Sequence, residues 1–387
     1  MRVRRKRLIK RLILGLLCCS LLFNSGCWDL RIVEELALAF AIGFDLDEED
    51  KELLTVTTTN PVFSDTATHS TNKTTVQGYT FSQAYFNAQR QHQNFLVLGQ
   101  VGVLVFSEEM ARTGRMHEVM VEVDQQMDMN PNASLAIVRG DPAQYVLQLE
   151  PSEETRVAVY LMNLLEKNVN NGLIPHVTAS RYWFRQSDPG ISSVVPLVEI
   201  TGHEDDRTGL LISGLAVMDA SGSMVGNLGD SDIPHYLMLT QQPRRSRFYT
   251  QVDVAGQNDV LTSVLIKRAN RKVRSKIIDN RVHFHVSLEA DIDILDMNAK
   301  LDALEDGIFD EIETQLARDI QGNALDMLRR TQRWRSDILG LGRFVRVQHP
   351  KWFSGVEEWC DYYENAEISL EVRVNLRRIG TLTNPEY

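Results

Sequence analysis

The sequence predicts a multi-domain α+β protein with mixed or antiparallel sheets and packed helices. Three observations carry that reading. Strand-type and helix-type apolar patterns are interleaved without a regular βαβ rhythm. A composition of 43% apolar and 24% charged residues is that of a globular chain. A length of 387 residues suffices for two or three domains with cores of their own. The same figures exclude a wholly disordered chain and a polytopic membrane protein.

Residues 1–26 read as an export signal. They hold seven basic groups (Arg2, Arg4, Arg5, Lys6, Arg7, Lys10, Arg11) and no acidic one. The twelve-residue apolar stretch Leu12 to Phe23 comes next. A spanning helix needs roughly 17–25 residues, so this stretch fits the apolar part of a cleaved signal. It ends in Asn24-Ser25-Gly26-Cys27, with two small residues before a cysteine, which is a lipobox-like site. At such a site the thiol takes a diacylglycerol and the cysteine becomes the new N-terminus. Asn24 stands where leucine is usual. Cys18 and Cys19 leave with the signal, so the mature chain keeps only Cys27 and Cys360. No disulfide framework is then available, and Cys360 reads as a small buried hydrophobe. The expected modification is S-diacylglycerol on Cys27, with N-acylation left open, and no other cofactor.

Without the signal the chain carries 34 basic against 52 acidic groups, a charge of −18. Nucleic acid is therefore not an expected partner, and anionic headgroups would repel the body. Lipid must supply the membrane attachment. Burial is worth about 0.8 kcal/mol per CH₂, so one acyl chain binds marginally and two hold stably. Cys27 to Leu36 spans nine residues, at most about 30 Å extended, which keeps the first folded element near the bilayer.

Along the mature chain, Leu36 to Ile42 is a continuous apolar run that predicts a buried strand ending at Gly43. Asp45 to Asp50 reads as a solvated acidic turn, Glu52 to Thr58 as a partner strand, and Asn60 to Thr75 as an exposed loop. Ser82 to Gln93 has helical spacing, and Phe95 to Phe106 is strand-like, with Gly99 and Gly102 permitting close backbone approach. Ser107 is placed to cap a helix. Helix is expected over Arg115 to Met129, strand over Ser134 to Arg139, and helix over Glu153 to Val169. Together these form an N-terminal α+β region over 27–200, open to division into two domains.

The polar interval 201–208 reads as a linker, and 209–387 as a C-terminal α+β domain. Its expected form is an antiparallel sheet with one long amphipathic helix. Strands are expected at Leu210 to Met218, Val260 to Arg268, Arg281 to Leu288 and Ile368 to Arg377, with a hairpin turn at Asp219 to Ser223. The helix follows from Leu301, Leu304, Ile308, Ile312, Leu316 and Ile320, which recur at steps of three and four.

Catalytic chemistry is hard to find. No G-x-S-x-G or H-E-x-x-H motif occurs, and Gly222, Gly226 and Gly229 lack the Lys-Ser/Thr of a phosphate loop. His283 and His285 would share one strand face, a spacing compatible with a metal, although Val282, Phe284 and Val286 put the histidines on the solvent side. The acidic turn lacks calcium-loop spacing. No catalytic or metal residues are assigned. Lys267, Arg268, Arg271, Lys272, Arg274 and Lys276 form a basic interval in an acidic body. They are either a solvated strand pair or a docking surface for an acidic partner or headgroups. Trp352 and Trp359 read as core aromatics.

Several separated signatures coincide: Cys27-Trp28-Asp29, then Ile42-Gly43-Phe44-Asp45; Gly214-Leu215-Ala216-Val217; Asp337-Ile338-Leu339-Gly340-Leu341-Gly342 before Pro350-Lys351-Trp352 and Trp359; and Arg377-Arg378-Ile379-Gly380. Over essentially its whole length the chain resembles the Ger(x)C family, the lipoprotein C subunits of spore germinant receptors. The resemblance implies a non-enzymatic, lipid-anchored subunit on the outer face of the inner spore membrane, needed for nutrient-triggered germination. It also implies a partly transmembrane A subunit and a polytopic B subunit as partners, and a multi-domain α+β fold. The rival is a lipid-anchored extracytoplasmic solute-binding protein, which would show repeated βαβ units and a cleft at a hinge.

Overall fold

The computed structural model describes residues 35–62, 71–126, 128–151, 154, 156–202, 209–243, 245–254, 256–298, 307–380 and 382–383, with Lys10, Ile13 and Gly15. The lipobox residues Asn24, Ser25 and Gly26, the lipidation site Cys27, most of the 201–208 interval, and Leu301 and Leu304 lie outside them. No helix among the described residues is long and apolar enough to cross a membrane.

The N-terminal part contains strands β1 (Leu36–Leu38), β2 (Ala41–Leu46), β3 (Leu54–Pro61) and β4 (Thr71–Gly78), helix α1 (Phe81–Gln91), then β5 (Phe95–Val97) and β6 (Val103–Ser107). Helices α2 (Glu108–Arg112) and α3 (Arg115–Asp124) lead to β7 (Ser134–Val138). Helices α4 (Ala143–Gln148), α5 (Val157–Asn170) and α6 (Ala179–Gln186) lead to β8 (Val194–Thr201), followed by β9 (Gly209–Met218) and β10 (Met224–Leu228). Eight of these strands form one sheet in the order β10-β9-β8-β7-β6-β2-β3-β4, and β1 pairs with β5 beside it.

Strands β2, β6, β7 and β8 run parallel, and antiparallel strands flank them on both sides. Parallel neighbours need crossovers: β3, β4, α1 and β5 lie between β2 and β6, and helices α2 to α6 supply those from β6 to β7 and from β7 to β8. Two βαβ connections therefore exist that the sequence reading did not separate. The central strands are covered on both faces, which is why β2 and β6 are buried throughout and read as unbroken apolar runs.

The pleat sorts side chains to two cores. Ile42, Phe44, Leu104 and Phe106 share one core with Phe81, Met110, Met116, Met120 and Tyr182 of the covering helices. Phe44 stacks on Phe106 at 4.9 Å between centroids. On the opposite face Val103, Val105, Ala136 and Val138 meet Ala143, Val146, Leu147, Val157 and Leu161. Here Gly43 lets α4 approach closely, since a Cβ would lie 2.9 Å from Leu147 Cδ1. Ile42-Gly43-Phe44-Asp45 is thus two core residues alternating with two that receive a helix.

Several expectations change. The Leu36 to Ile42 run breaks after Leu38, and the strand resumes through Gly43 to Leu46. Asp45 is no part of a solvated turn: it is 5% exposed. It accepts from the backbone N–H of Ala143 at 2.6 Å and of Gln144 at 2.9 Å, at the start of α4. Thr71 to Thr75, expected as loop, belongs to β4, whose polar residues suit an edge strand. Phe95 to Phe106 is two strands around a turn. Ser107 caps its helix as expected, accepting from Met110 N–H. The 201–208 interval connects β8 to β9, which pair from Thr201↔Gly209 to Val194↔Val217. Strands β9 and β10 therefore complete the N-terminal sheet.

The C-terminal part continues with α7 (Ile233–Leu239), β11 (Arg247–Val254), β12 (Gln257–Ile278) and β13 (Arg281–Met297). Then come α8 (Ile308–Arg333), α9 (Leu341–Gln348), α10 (Pro350–Phe353), α11 (Trp359–Glu364), β14 (Glu367–Ile379) and β15 (Leu382–Thr383). The sheet order is β11-β12-β13-β14-β15. Strands β12 and β13 form a hairpin closed by Asp279 and Asn280, both at positive φ (49° and 61°), the geometry of a primed turn. The sheet is mixed and not wholly antiparallel as expected, because β13 and β14 run parallel. The crossover between them carries the four helices, and a parallel pair requires such a connection.

Helix α8 has 26 residues, about 39 Å of axis. It lays Ile312, Leu316, Ile320, Ala324, Met327 and Leu328 on the sheet. Their core is one contiguous cluster with the α4 and α5 side of the first sheet.

Asp45 tests the fold locally. Burial raises its carboxyl above the usual range, and the bonds from Gln144, Ala143 and Ser107 oppose this. The side chain therefore serves as an acceptor more than as a charge. Asp45→Ala should cost about 0.5–2 kcal/mol in chemical denaturation, the usual range for a lost helix cap. Asp45→Asn keeps one acceptor but turns an NH2 toward the second backbone N–H, so it should recover only part of that loss.

Candidate functional site

Two regions of the C-terminal sheet concern function: the loop that joins its helical face to the first sheet, and its opposite, solvent-facing side.

The loop lies between α8 and α9. Arg335, at φ 53°, ends the helix, and Ser336 Oγ donates to Met218 O of β9 at 2.6 Å. The next three carbonyls each meet a different element. Asp337 O accepts from Ser192 N–H at 2.8 Å, Ile338 O from Arg185 Nη2 of α6 at 2.7 Å, and Leu339 O from Arg271 Nη1 of β12 at 3.3 Å. Oδ2 of Asp337 accepts from Gly342 N–H at 2.8 Å and from Trp359 Nε1–H at 2.9 Å.

Gly342 is confined between two neighbours. A Cβ there would lie 2.7 Å from the Trp359 ring and 2.8 Å from Gly190 Cα. Gly340 takes φ 69°. The two glycines of Asp337-Ile338-Leu339-Gly340-Leu341-Gly342 thus serve a left-handed turn and a close approach. Just outside, Asp188 accepts from Arg343 Nε at 2.9 Å and from Arg346 Nη1 at 2.9 Å. Burial alone would raise the Asp188 carboxyl, but Arg346, Gly190 N–H and Arg343 hold it below its usual range.

Arg271 separates from the other five basic candidates. It points to the helical face and lies 5.1 Å over the Phe344 ring. Burial lowers its pKa, opposed by the charge of Asp337. Burial raises Asp337, opposed by Gly342, Leu341, Trp359 and Arg271. Desolvation dominates both groups, and the Arg271 guanidinium makes its hydrogen bond to Leu339 O rather than to the carboxyl.

On the other side of β12, the pleat exposes Lys272, Arg274 and Lys276 in one row. In register across β13 they face Ser287, His285 and His283, and beyond these β14 presents Glu371, Ser369 and Glu367. His283 Nδ1 lies 3.1 Å from Glu367 and His285 Nε2 3.7 Å from Glu371. The histidines take the solvent side while Val282, Phe284 and Val286 are buried. The face is a basic row and an acidic row with imidazoles between them. Its groove, lined by Lys272, Arg274, His285, Glu289, Glu371 and Arg373 among others, encloses about 320 Å³. Lys267 and Arg268 lie further along and are engaged by Asp293 at 3.6 Å and Asp291 at 3.1 Å. The structure therefore brings three of the six basic candidates together at an open surface.

Trp359 is 4% exposed and belongs to the core, whereas Trp352 is half-buried against Tyr362. Cys360 is half-exposed, which corrects the buried-hydrophobe reading. Together with Glu358 and Asp361 it forms the one set of three potential metal ligands among the described residues. Arg335 contacts all three, so a guanidinium already occupies the group.

Both halves of this architecture have known counterparts. Residues 29–200 match the family described as spore germination protein N-terminal domain, and 213–380 match spore germination B3/GerAC like, C-terminal. The chain is 23% identical over 379 residues to spore germination protein GerQC of Bacillus cereus, covering 96% of this chain and 99% of that one. It is 19% identical over 407 residues to spore germination protein KC of Bacillus subtilis (strain 168), covering 97% of each. The crystal structure of the GerBC protein has the same fold, with a TM-score of 0.57 at 13% identity, over 90% of this chain and 99% of that one. These findings define a spore germination protein of the GerC type, built from the two domains of that class. The chain belongs to the Ger(x)C family. The names of these relatives state a role in germination and no reaction.

The Asp337 junction gives a prediction with a sign. Asp337→Ala leaves Gly342 N–H and Trp359 Nε1–H without their acceptor. It should destabilise by about 2–5 kcal/mol, at about 1–3 kcal/mol for each buried donor left unsatisfied. Because burial raises the folded-state pKa above the unfolded value, the folded state holds its proton to higher pH. Wild-type stability relative to Asp337→Asn should therefore fall as pH rises from about 4 through the raised value, the reverse of a salt-bridged surface aspartate. Denaturation midpoints of both proteins across the acid range check this.

Proposed function

We propose that the chain is a non-catalytic subunit of a spore germinant receptor, held to the extracytoplasmic face of the inner spore membrane by diacylglycerol on Cys27. On this reading it acts by binding the membrane A and B subunits. The observation that supports it best is the pair of family matches spanning 29–200 and 213–380 in order. They account for both sheets of the fold. The N-terminal signature adds the anchor: Cys27 follows a basic, then apolar, leader.

The physical case for the lipid is electrostatic. A body at −18 has no attraction of its own for anionic headgroups, and two acyl chains supply stable attachment without it. The relatives' names support a role in germination, and the receptor assembly is the reading proposed for this chain. The exposed row Lys272, Arg274, Lys276 is the surface we assign to contact with an acidic partner segment or headgroups, because it is the cationic strip that the fold leaves open.

Two experiments test this. Membrane fractionation of wild type and Cys27→Ala should show the variant leaving the membrane and losing co-purification with A and B subunits. Retention of both would overturn the anchor. Separately, the triple change Lys272→Glu, Arg274→Glu, Lys276→Glu should reduce partner co-purification at least about tenfold. Its unfolding midpoint should stay near wild type, because the row makes no ion pair with a described residue. Unchanged co-purification would remove this face from the interface.

A further inference from the structure

The first strand of the C-terminal sheet has an open edge. Among the described residues β11 pairs only with β12, and Ile266 N–H donates to Ser246 O at 2.8 Å. Backbone groups alternate in direction along an antiparallel strand. Ser246, Phe248 and Thr250 therefore point theirs at β12, while Arg247, Tyr249 and Gln251 point theirs away. The same outward sense is visible at Asp253, whose N–H is capped by Gln315 Oε1 of α8 at 2.8 Å. Gln315 thus closes one end of the edge and leaves the stretch before it open.

That open stretch borders a cleft of about 710 Å³ between the two sheets. Residues 246–250 and 210–212 line it consecutively, so strand edges and not only side chains form its walls. β9 pairs there with β8, while its pairing with β10 begins only at Leu215; on that second edge Leu210 N–H donates to Tyr160 Oη at 3.4 Å. Leu173, Leu211 and Tyr249 line the cleft at 44%, 53% and 79% exposure. Two further wall residues are polar and almost wholly buried: His235 is 3% exposed and Ser246 0%. Nε2 of His235 and Oγ of Ser246 have no hydrogen-bond partner among the described residues. Natural proteins usually block an edge with proline, inward charges, a bulge or a covering element. An edge left open beside exposed apolar residues and unpartnered buried polar atoms is built to receive something.

We infer that the open edge of β11 accepts an extended segment of a partner polypeptide, which adds as a further strand and places alternate apolar side chains against Leu173, Leu211 and Tyr249. A row of outward N–H and C=O groups is complementary to another extended backbone. Lys167 and Arg247 against Asp230 on the lining favour a segment of net negative charge. The inference adds a docking site to the reading above and rests on it only for the expectation that the segment comes from a sister subunit. Binding itself needs neither the anchor nor the basic row.

The test uses the full lipidated chain in detergent and a library of extended peptides about six residues long. The peptides carry Val, Ile, Leu or Tyr at alternate positions and Thr, Ser or Glu between them. Fluorescence anisotropy should find binders enriched in glutamate. Methylating alternate backbone nitrogens of a binder should weaken it at least about tenfold, since main-chain hydrogen bonds are lost. Tyr249→Pro removes an outward N–H that the β12 ladder does not use and should abolish binding. Leu211→Glu should weaken binding about tenfold without touching the edge, and Tyr249→Phe should bind as wild type.

Absence of any binder, or equal binding by Tyr249→Pro and wild type, would overturn the inference. A dimer in the absence of peptide that Tyr249→Pro dissolves would name a second copy as the occupant, and would overturn it as well. So would saturable binding of free amino acids, sugars or nucleosides that Leu211→Glu abolishes and Tyr249→Pro leaves intact. Failure in any of these ways leaves the Cys27 fractionation result, and the subunit reading it tests, standing.

Discussion

The structure depends on one buried carboxylate and the loop it closes. Asp337 is 2% exposed and holds Gly342 N–H and the Trp359 indole on a single oxygen. This fixes the path of three successive carbonyls, which reach Ser192, Arg185 and Arg271 in three different elements. Each bond alone contributes on the order of 1 kcal/mol, but a buried group left unsatisfied costs about 1–3 kcal/mol. The junction is therefore stable only as a set. Its members come from both ends of the chain: Arg185 and Ser192 from the first sheet's region, Arg271 and Trp359 from the second.

This junction divides β12 by function. On one face Arg271, Val273 and Ser275 turn toward the helices, and Ser275 N–H and Oγ both meet Gln348 Oε1. On the other face Lys272, Arg274 and Lys276 meet solvent. Two-residue alternation makes the separation automatic once one face is locked, since a slip of one residue would exchange every side chain. The buried side therefore fixes the register of the exposed cationic row. The imidazoles of His283 and His285 stand beside carboxylates of β14 in the same register, so the row keeps a constant spacing from its acidic counterpart.

Much of this was legible in the sequence, and what was missed has physical causes. The long helix, the β14 strand and the Ser107 cap follow from local pattern, which needs no knowledge of the partner surface. The solvent side of His283 and His285 follows from the alternation of Val282, Phe284 and Val286. Asp45 was misread because an acidic run looks solvated. Nothing local reveals that α4 starts 98 residues later and needs an acceptor there. β4 was misread because Thr71 to Thr75 are polar and the strand buries only Val76 and Gly78, too few to show alternation. Arg271 was grouped with its neighbours because charge is read along the chain, whereas the pleat sorts it by parity. The cleft beside β11 could not be read at all, since its walls come from α5, β9, α7 and β11 and exist only after both sheets pack.

The two halves are joined by apolar packing. One of the two cores of the first sheet is contiguous with the core of the second, so that Leu161 and Val217 belong with Leu316 and Val264. The polar junction lies at its margin, where Gly342 and Gly190 approach too closely for a Cβ between them. Sliding one half over the other would break the Asp188 clamp on Arg343 and Arg346. It would also strand the carbonyls of residues 337–339 away from water. Hinge opening is favoured where interfaces are small and polar, and this one has a continuous apolar core. A pull applied to the N-terminal part would reach the basic row of β12 through buried groups. A fixed presentation of surfaces is the property that this packing supplies.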